Sequence, residues 1–339
     1  MRALSLFFIA LVITMAFAQT SSAAYSSSND EICSIYDVTN LENPISIESL
    51  KEMRNSVIES YQKEKNSQRS LVYTEPEIPK DFEVVAYAFI IDSQGITNQY
   101  VGLACDEKSV SIIQKKAEDW REKYIIEQDN IASANIKSKS SSWRVVGSDT
   151  AELYKDPYGG ITNNHEIRKL SNDGDSTKDW FAVKQFFAME PGIRAYQSSY
   201  VNHVGKMSND WSAGTFGNPQ LYEWDPLGTI SGTQGVAVSI SGGTSGASAS
   251  WTWSYNQPDV TTTDLSSTGT DIAKWTMSFN SDASKESTGG MKPGSVCSLN
   301  QHSSGTYKIL DLKSEGKFRD TLLGLYHTMN LNTGISYRY

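Results

Sequence analysis

The chain has 339 residues, a net charge of −9, 38% hydrophobic residues and 20% charged residues. Those values exclude a multi-span membrane protein, a coiled coil and a highly charged disordered chain. With 30 Lys+Arg against 39 Asp+Glu, no basic field is available to hold phosphates, which argues against a nucleic-acid partner.

Residues 1–24 read as a secretory signal peptide. Arg2 precedes an apolar run of 16 residues, Ala3 to Ala18, and Ala16-Phe17-Ala18 places small residues at a cleavage site, with Ala23 or Ala24 as a second option. The run is shorter than the ~20 residues that a bilayer-spanning helix needs. No later uncharged stretch is apolar enough to span as a helix. The expectation is a secreted or cell-surface protein without a transmembrane helix after cleavage.

Cys33, Cys105 and Cys297 follow the signal peptide and are the disulfide candidates. An odd number permits at most one bridge within the chain, leaving a buried thiol or one that pairs between chains. No C-x-x-C pair marks a zinc or redox centre. No Asn-x-Ser/Thr acceptor occurs among 19 Asn.

Composition changes near residue 140. Residues 25–140 carry 33 charged residues in 116, and residues 141–339 carry 35 in 199, together with 22 of the 24 Gly and 7 of the 8 Trp. The first part is predicted to be a small α+β module, helix–hairpin–helix. Ile47, Leu50, Met53, Val57, Ile58 and Tyr61 fall at helical spacing. Residues 67–80, with two prolines, read as loop. Phe82–Ile91 and Ile96–Cys105 read as a hairpin, and Val110 to Ile125 as a second amphipathic helix. The Ser-Lys-rich segment Lys137–Ser142 is the expected boundary.

Residues 141–339 are predicted to form a mainly antiparallel, sandwich-like all-β domain. The strand candidates are Trp143–Val146, Trp180–Met189, Ile193–Val204, Gly235–Ser241, Ala247–Tyr255, Ala273–Phe279, Thr306–Leu312 and Ile335–Tyr339.

No nucleophile elbow, zinc-protease helix, Walker loop or dinucleotide fingerprint is present. The loop Ser171–Asp179 clusters Asp173, Asp175 and Asp179. It reads as a polar turn, with calcium as the alternative. Otherwise no cofactor is expected. Glu190, Glu223, Asp225 and Asp259 lie beside strand ends or turns, and a glycosidase-like hydrolase would need two or three of these four and His203 to converge in one cleft.

The most distinctive segment is Pro226–Pro258, 33 residues without a charge. Val236, Val238 and Ile240 alternate with small or polar residues. Ala247, Ala249, Trp251, Trp253 and Tyr255 do the same in a second arm, with Gly242-Gly243-Thr244-Ser245 between the arms. This alternation specifies an amphipathic β-hairpin. Three uses compete: one face on the domain core, an edge that pairs with another copy of the chain, or a stem that enters a membrane. Trp251, Trp253 and Tyr255 could also stack on sugar rings if exposed. The leading expectation is a non-catalytic protein that contacts itself, a cell envelope or a glycan. A secreted hydrolase and a pore-forming protein are the alternatives.

Overall fold

The computed structural model describes residues 33–65, 70–92, 94–131, 142–215 and 217–339. The expected signal peptide and most of the expected boundary segment lie outside the described residues. So does the Cys33 side chain.

β1 (Cys33–Val38) precedes α1 (Ile47–Lys65), β2 (Leu71–Glu77), β3 (Glu83–Ile91), β4 (Thr97–Ala104) and α2 (Glu107–Ile131). Next come β5 (Ser142–Lys155), β6 (Gly159–Ser171), β7 (Lys178–Pro191), the single turn α3 (Gly192–Ala195) and β8 (Tyr200–Asp210). β9 (Gln220–Asp225) leads into the long hairpin of β10 (Thr229–Thr244) and β11 (Ala247–Asp264). β12 (Ile272–Phe279), the single turn α4 (Asp282–Lys285), β13 (Gly289–Met291), β14 (Gly294–Asn300), β15 (Thr306–Asp320) and β16 (Tyr326–Arg338) complete the chain.

The strands form two sheets. The larger runs β1-β3-β4-β5-β6-β7-β14-β9, with β13 also on β7. The smaller runs β10-β11-β12-β8-β15-β16-β2. β4 and β5 pair in parallel across the α2 connection, and the other strand pairs among the described residues are antiparallel. A parallel neighbour requires such a crossover. α2 packs Val110, Ile113 and Ala117 on the outer face of β3 and β4, against Val85, Ala86, Ala88, Tyr100 and Ala104. Burial on both faces explains the unbroken apolar run of β3. Gly102 permits the contact, because a Cβ there would stand 2.2 Å from the Ile113 side chain.

The strands of residues 33–104 therefore do not close a small sheet of their own, as the sequence suggested. β1, β3 and β4 continue the larger sheet, and β2 joins β16 at the edge of the smaller one. β2 falls where the prolines suggested loop. Pro76 fits because an edge strand can turn a position lacking N–H away from its ladder. Similarly, β6 is a full strand although its sequence is polar, and residues 192–195 form a helical turn rather than the start of a strand.

Between the sheets, Phe187, Met189, Met207, Met277, Leu312, Phe318 and Ile335 belong to the main core. A polar layer crosses it. Gln185 Nε2 donates to Asn163 Oδ1 (3.0 Å) and Ser314 Oγ (3.3 Å), while Asn209 Nδ2 and Trp211 Nε1 both donate to Ser295 Oγ at 3.0 Å. Asp149 and His165 face each other across β5 and β6 in the same layer, each 1% exposed. Burial pushes Asp149 up from 3.8 to about 7, against hydrogen bonds and Arg54 that favour its charged form. Burial pulls His165 down from 6.5 to about 3.

These two groups give opposite pH slopes. The Asp149 contribution to stability is complete below its unfolded pKa of 3.8 and is lost as pH rises toward about 7. The His165 contribution is complete above its unfolded pKa of 6.5 and is lost as pH falls toward about 3. Asp149→Asn removes the first slope only. Urea denaturation of that variant should show stability rising from pH ~4 to ~6.5 more steeply than in the wild type, and parallel profiles would contradict the assignment.

Candidate functional site

The uncharged segment forms the hairpin the alternation called for. Ladder pairs run from Thr229↔Thr263 to Thr244↔Ala247, so the turn is Ser245-Gly246, and the two glycines before it belong to the strand. Val236↔Tyr255, Val238↔Trp253, Ile240↔Trp251 and Gly242↔Ala249 lie side by side on one face. Val236, Val238, Ile240, Trp251 and Tyr255 are buried; Ala237, Ser239, Ser250, Thr252, Ser254 and Asn256 on the other face are exposed. Period-2 patterning has thus sorted the hairpin into an apolar face and a small polar face.

Only the base of the hairpin is bonded into its own sheet. β11 pairs with β12 from Val260↔Phe279 to Asp264↔Trp275. A register shift between Gly232 and Gln234 then bends the ribbon. Gln257, fully buried, braces the bend: its Nε2 donates to Gly232 O (3.1 Å) and Val260 O (3.0 Å), and its Oε1 accepts from Thr262 Oγ1 (2.9 Å). Pro258 lies beside Gly289, which pairs with Met189 near the end of β7.

From the bend, the distal arms run back over the larger sheet. Trp253 Nε1 donates to Lys292 O at 2.7 Å, and Lys184 lies over its ring. Ile240 and Trp251 join Leu170, Trp180, Ala182 and Val296 in one cluster, and Arg168 sits 4.1 Å from the Trp251 ring. Trp143 Nε1 donates to Ala249 O (2.9 Å), and Thr244 Oγ1 to Asp173 O (2.9 Å). Gly242 allows the close seat, since a Cβ there would stand 2.9–3.0 Å from Val296, Trp143 and Trp180.

β10 is one edge strand of the smaller sheet and β9 one edge strand of the larger. Carboxylates join them. Ser239 N donates to Asp225 Oδ2 at 2.7 Å, and Ser241 N and Oγ both donate to Glu223 Oε2 at 2.6 Å. Burial raises the Asp225 carboxyl; its backbone hydrogen bonds oppose this, and Glu223 and Asp264 nearby reinforce it. Acidification therefore weakens the Ser239 bond at a higher pH than an ordinary aspartate would require.

The remaining sequence candidates are each engaged with other partners. Glu190 accepts from Tyr154 OH (2.5 Å) and pairs with Lys116 and Arg194. Asp259 accepts from Asn280, and His203 lies against Tyr326. Glu223 and Asp225 come together, but β10 occupies them. Trp251 and Tyr255 are each 7% exposed, so the strand face considered for sugar stacking is turned onto the protein itself. In the acidic loop, Asp175 accepts from Thr177 and Lys178 N–H groups, and Asp179 pairs with Lys169 at 2.9 Å. Among the described residues no group of three potential ligands could hold a metal ion. Cys105 and Cys297 are free thiols, Cys297 fully buried. Among those residues no helix is long and apolar enough to cross a membrane.

The sequence alone did not locate the bend or the carboxylate join. Gln257 and the Gly232–Gln234 irregularity carry no motif, and Glu223 and Asp225 read there as candidate acids. No protein-family profile and no curated protein matches the chain. Among solved structures, one described as a pore forming protein is 8% identical, with 58% of this chain and 96% of that chain covered at a TM-score of 0.34. Clostridium perfringens delta-toxin is 13% identical, covering 60% and 95% at 0.34. The membrane-inserted form of the Clostridium perfringens NetB toxin is 5% identical, covering 58% and 94% at 0.31. At such scores these likenesses assign neither a fold nor a function to this chain.

If the carboxylates hold the distal arms, Glu223→Ala/Asp225→Ala should speed amide hydrogen exchange at Ser239 and Ser241 by about ten- to a hundredfold, with β15 amides unchanged. Equal protection in the variant would show that apolar packing alone seats the hairpin.

Proposed function

We propose that the protein is exported and forms membrane pores by releasing the β10–β11 hairpin. The observation carrying this reading is a two-faced hairpin whose arms, within Pro226–Pro258, carry no charge, which is bonded into a sheet only at its base and folded back over the other sheet. In the folded chain that apolar face packs on the protein's own core. A bilayer satisfies the same face equally well.

The dimensions fit. Seven residues per arm alternate from Val236 to Gly242 and from Ala249 to Tyr255, about 23 Å at strand rise, against an apolar band of about 25 Å in membrane barrels. Straightened at the bend, the arms would continue the line of β11 from Asp264 through Val260 and project about 40 Å beyond it. That exceeds the ~30 Å hydrocarbon core. Passing Pro226–Pro258 into lipid moves no ionised side chain. Val236, Val238, Ile240, Trp251 and Trp253 would face lipid, and Ser239, Ser250, Thr252 and Ser254 a lumen. A lone hairpin leaves unpaired backbone in lipid, so several copies must close a barrel.

A disulfide tests the release. A Cβ built at Gly174 stands 3.5 Å from the Ala247 Cβ, within bridging range. Oxidised Gly174→Cys/Ala247→Cys protein should not release calcein from phosphatidylcholine vesicles, and reductant should restore leakage. No leakage from the wild type under any lipid composition, or full leakage from the oxidised variant, would overturn the reading.

A further inference from the structure

The turn between β15 and β16 carries Leu322, Leu323 and Leu325, and β16 opens on Tyr326; they are exposed by 81%, 73%, 56% and 51%. Four large apolar side chains in five residues stand outside the core, where scattered single ones are the norm. The turn that holds them is closed by hydrogen bonds. Asp320 Oδ1 accepts from Leu322 N (2.8 Å) and Leu323 N (3.3 Å), and Asp320 N donates to Leu325 O (2.8 Å). Thr321 N and Oγ1 both donate to Ser199 O at 3.0 Å. The leucines are thus presented outward by a built turn.

Aromatic rings and cations stand behind them. Tyr158 stacks on His327 with ring centroids 3.5 Å apart and meets Tyr200 edge-on at 4.7 Å. Lys317 lies 4.3 Å from the Tyr326 ring, and His203 packs beside that ring. Burial first, then the charges of Lys317, Arg319 and Lys285, hold His203 below its ordinary pKa. The carboxylate in the turn, Asp320, is 5% exposed and is taken up by the turn's own N–H groups; Lys285 also pairs with the exposed Asp282.

We infer that this turn is a docking surface for a phospholipid bilayer, in which Leu322, Leu323 and Leu325 enter the acyl region while Tyr326, Lys317 and Arg319 meet the phosphate layer. Tyrosine with an apolar body and a polar tip suits that interface, and cations placed just behind an apolar tip match its phosphates. The location agrees. β15 pairs with β8 at Asp320↔Tyr200, beyond the row of Val204, Lys317 and Ser278, and the base of the hairpin runs toward that same end. A straightened hairpin would emerge on the side where the leucines stand. The surface rests on the pore-forming reading for its purpose, although its residues are separate from the hairpin.

Vesicle flotation separates the two. The oxidised Gly174→Cys/Ala247→Cys protein should float with phosphatidylcholine vesicles while releasing no calcein. Adding Leu322→Asp/Leu323→Asp should lower its partition by about a hundredfold or more with an unchanged melting temperature, since both side chains lie outside the core. Leu322→Ala/Leu323→Ala should fall between. Lys317→Gln/Arg319→Gln should remove the gain that phosphatidylserine gives. Unchanged flotation of the aspartate variant would overturn the inference. So would loss of self-association in that variant with flotation intact, which would make the turn a contact between copies. Flotation that needs the leucines, with no leakage from unpinned protein, would leave the docking surface standing and the pore reading refuted.

Discussion

Two open sheet edges meet in this protein, and side chains rather than a ladder join them. β9 ends the larger sheet and β10 the smaller. Ser239 and Ser241 would present bare N–H groups along β10, an invitation to pair with any other strand. Glu223 and Asp225 take those donors instead. A β-ladder would weld the hairpin to the larger sheet through many bonds. Two carboxylates close the edge with few, and leave the arms separable from the sheet they cover.

The apolar face sets the conditions for separation. Val236, Val238, Ile240, Trp251 and Tyr255 are all buried. At about 2 kcal/mol each, moving them into water would cost about 10 kcal/mol, comparable with the whole stability of a domain. The arms are therefore held firmly in solution. Lipid removes that cost, because it accepts the same side chains. The edge groups still need partners, so lipid alone is insufficient and a neighbouring hairpin is required. Departure also uncovers Leu170, Trp180 and Val296, which a neighbouring copy would have to shield.

The hairpin was legible from the sequence because its two faces differ so strongly: Ser, Thr and Ala alternate with Val, Ile and Trp over both arms. Its destination was not. Alternation names a buried face without naming the surface that buries it, and here that surface is the opposite sheet. β6 escaped notice for the converse reason. Asn163 and His165 are buried in a polar layer, so the strand lacks the apolar period that marks a strand. β2 was obscured by Pro76, which an edge strand tolerates. The helices and the β3–β4 hairpin were read from periodicity, but which sheet they extend depends on pairings between residues far apart in the chain. The exposed leucines of the last turn were hidden in plain composition, since a leucine's exposure is fixed only by the fold.

The absence of charge between Pro226 and Pro258 reaches beyond insertion. A hairpin that carries no net charge across the bilayer does no electrical work, so a membrane potential would neither draw it in nor hold it out. A lumen lined by hydroxyls and amides, with no ring of carboxylates or ammonium groups, would have little means to sort cations from anions. The passage would pass small ions of either sign, and its reversal potential in a salt gradient would lie near zero.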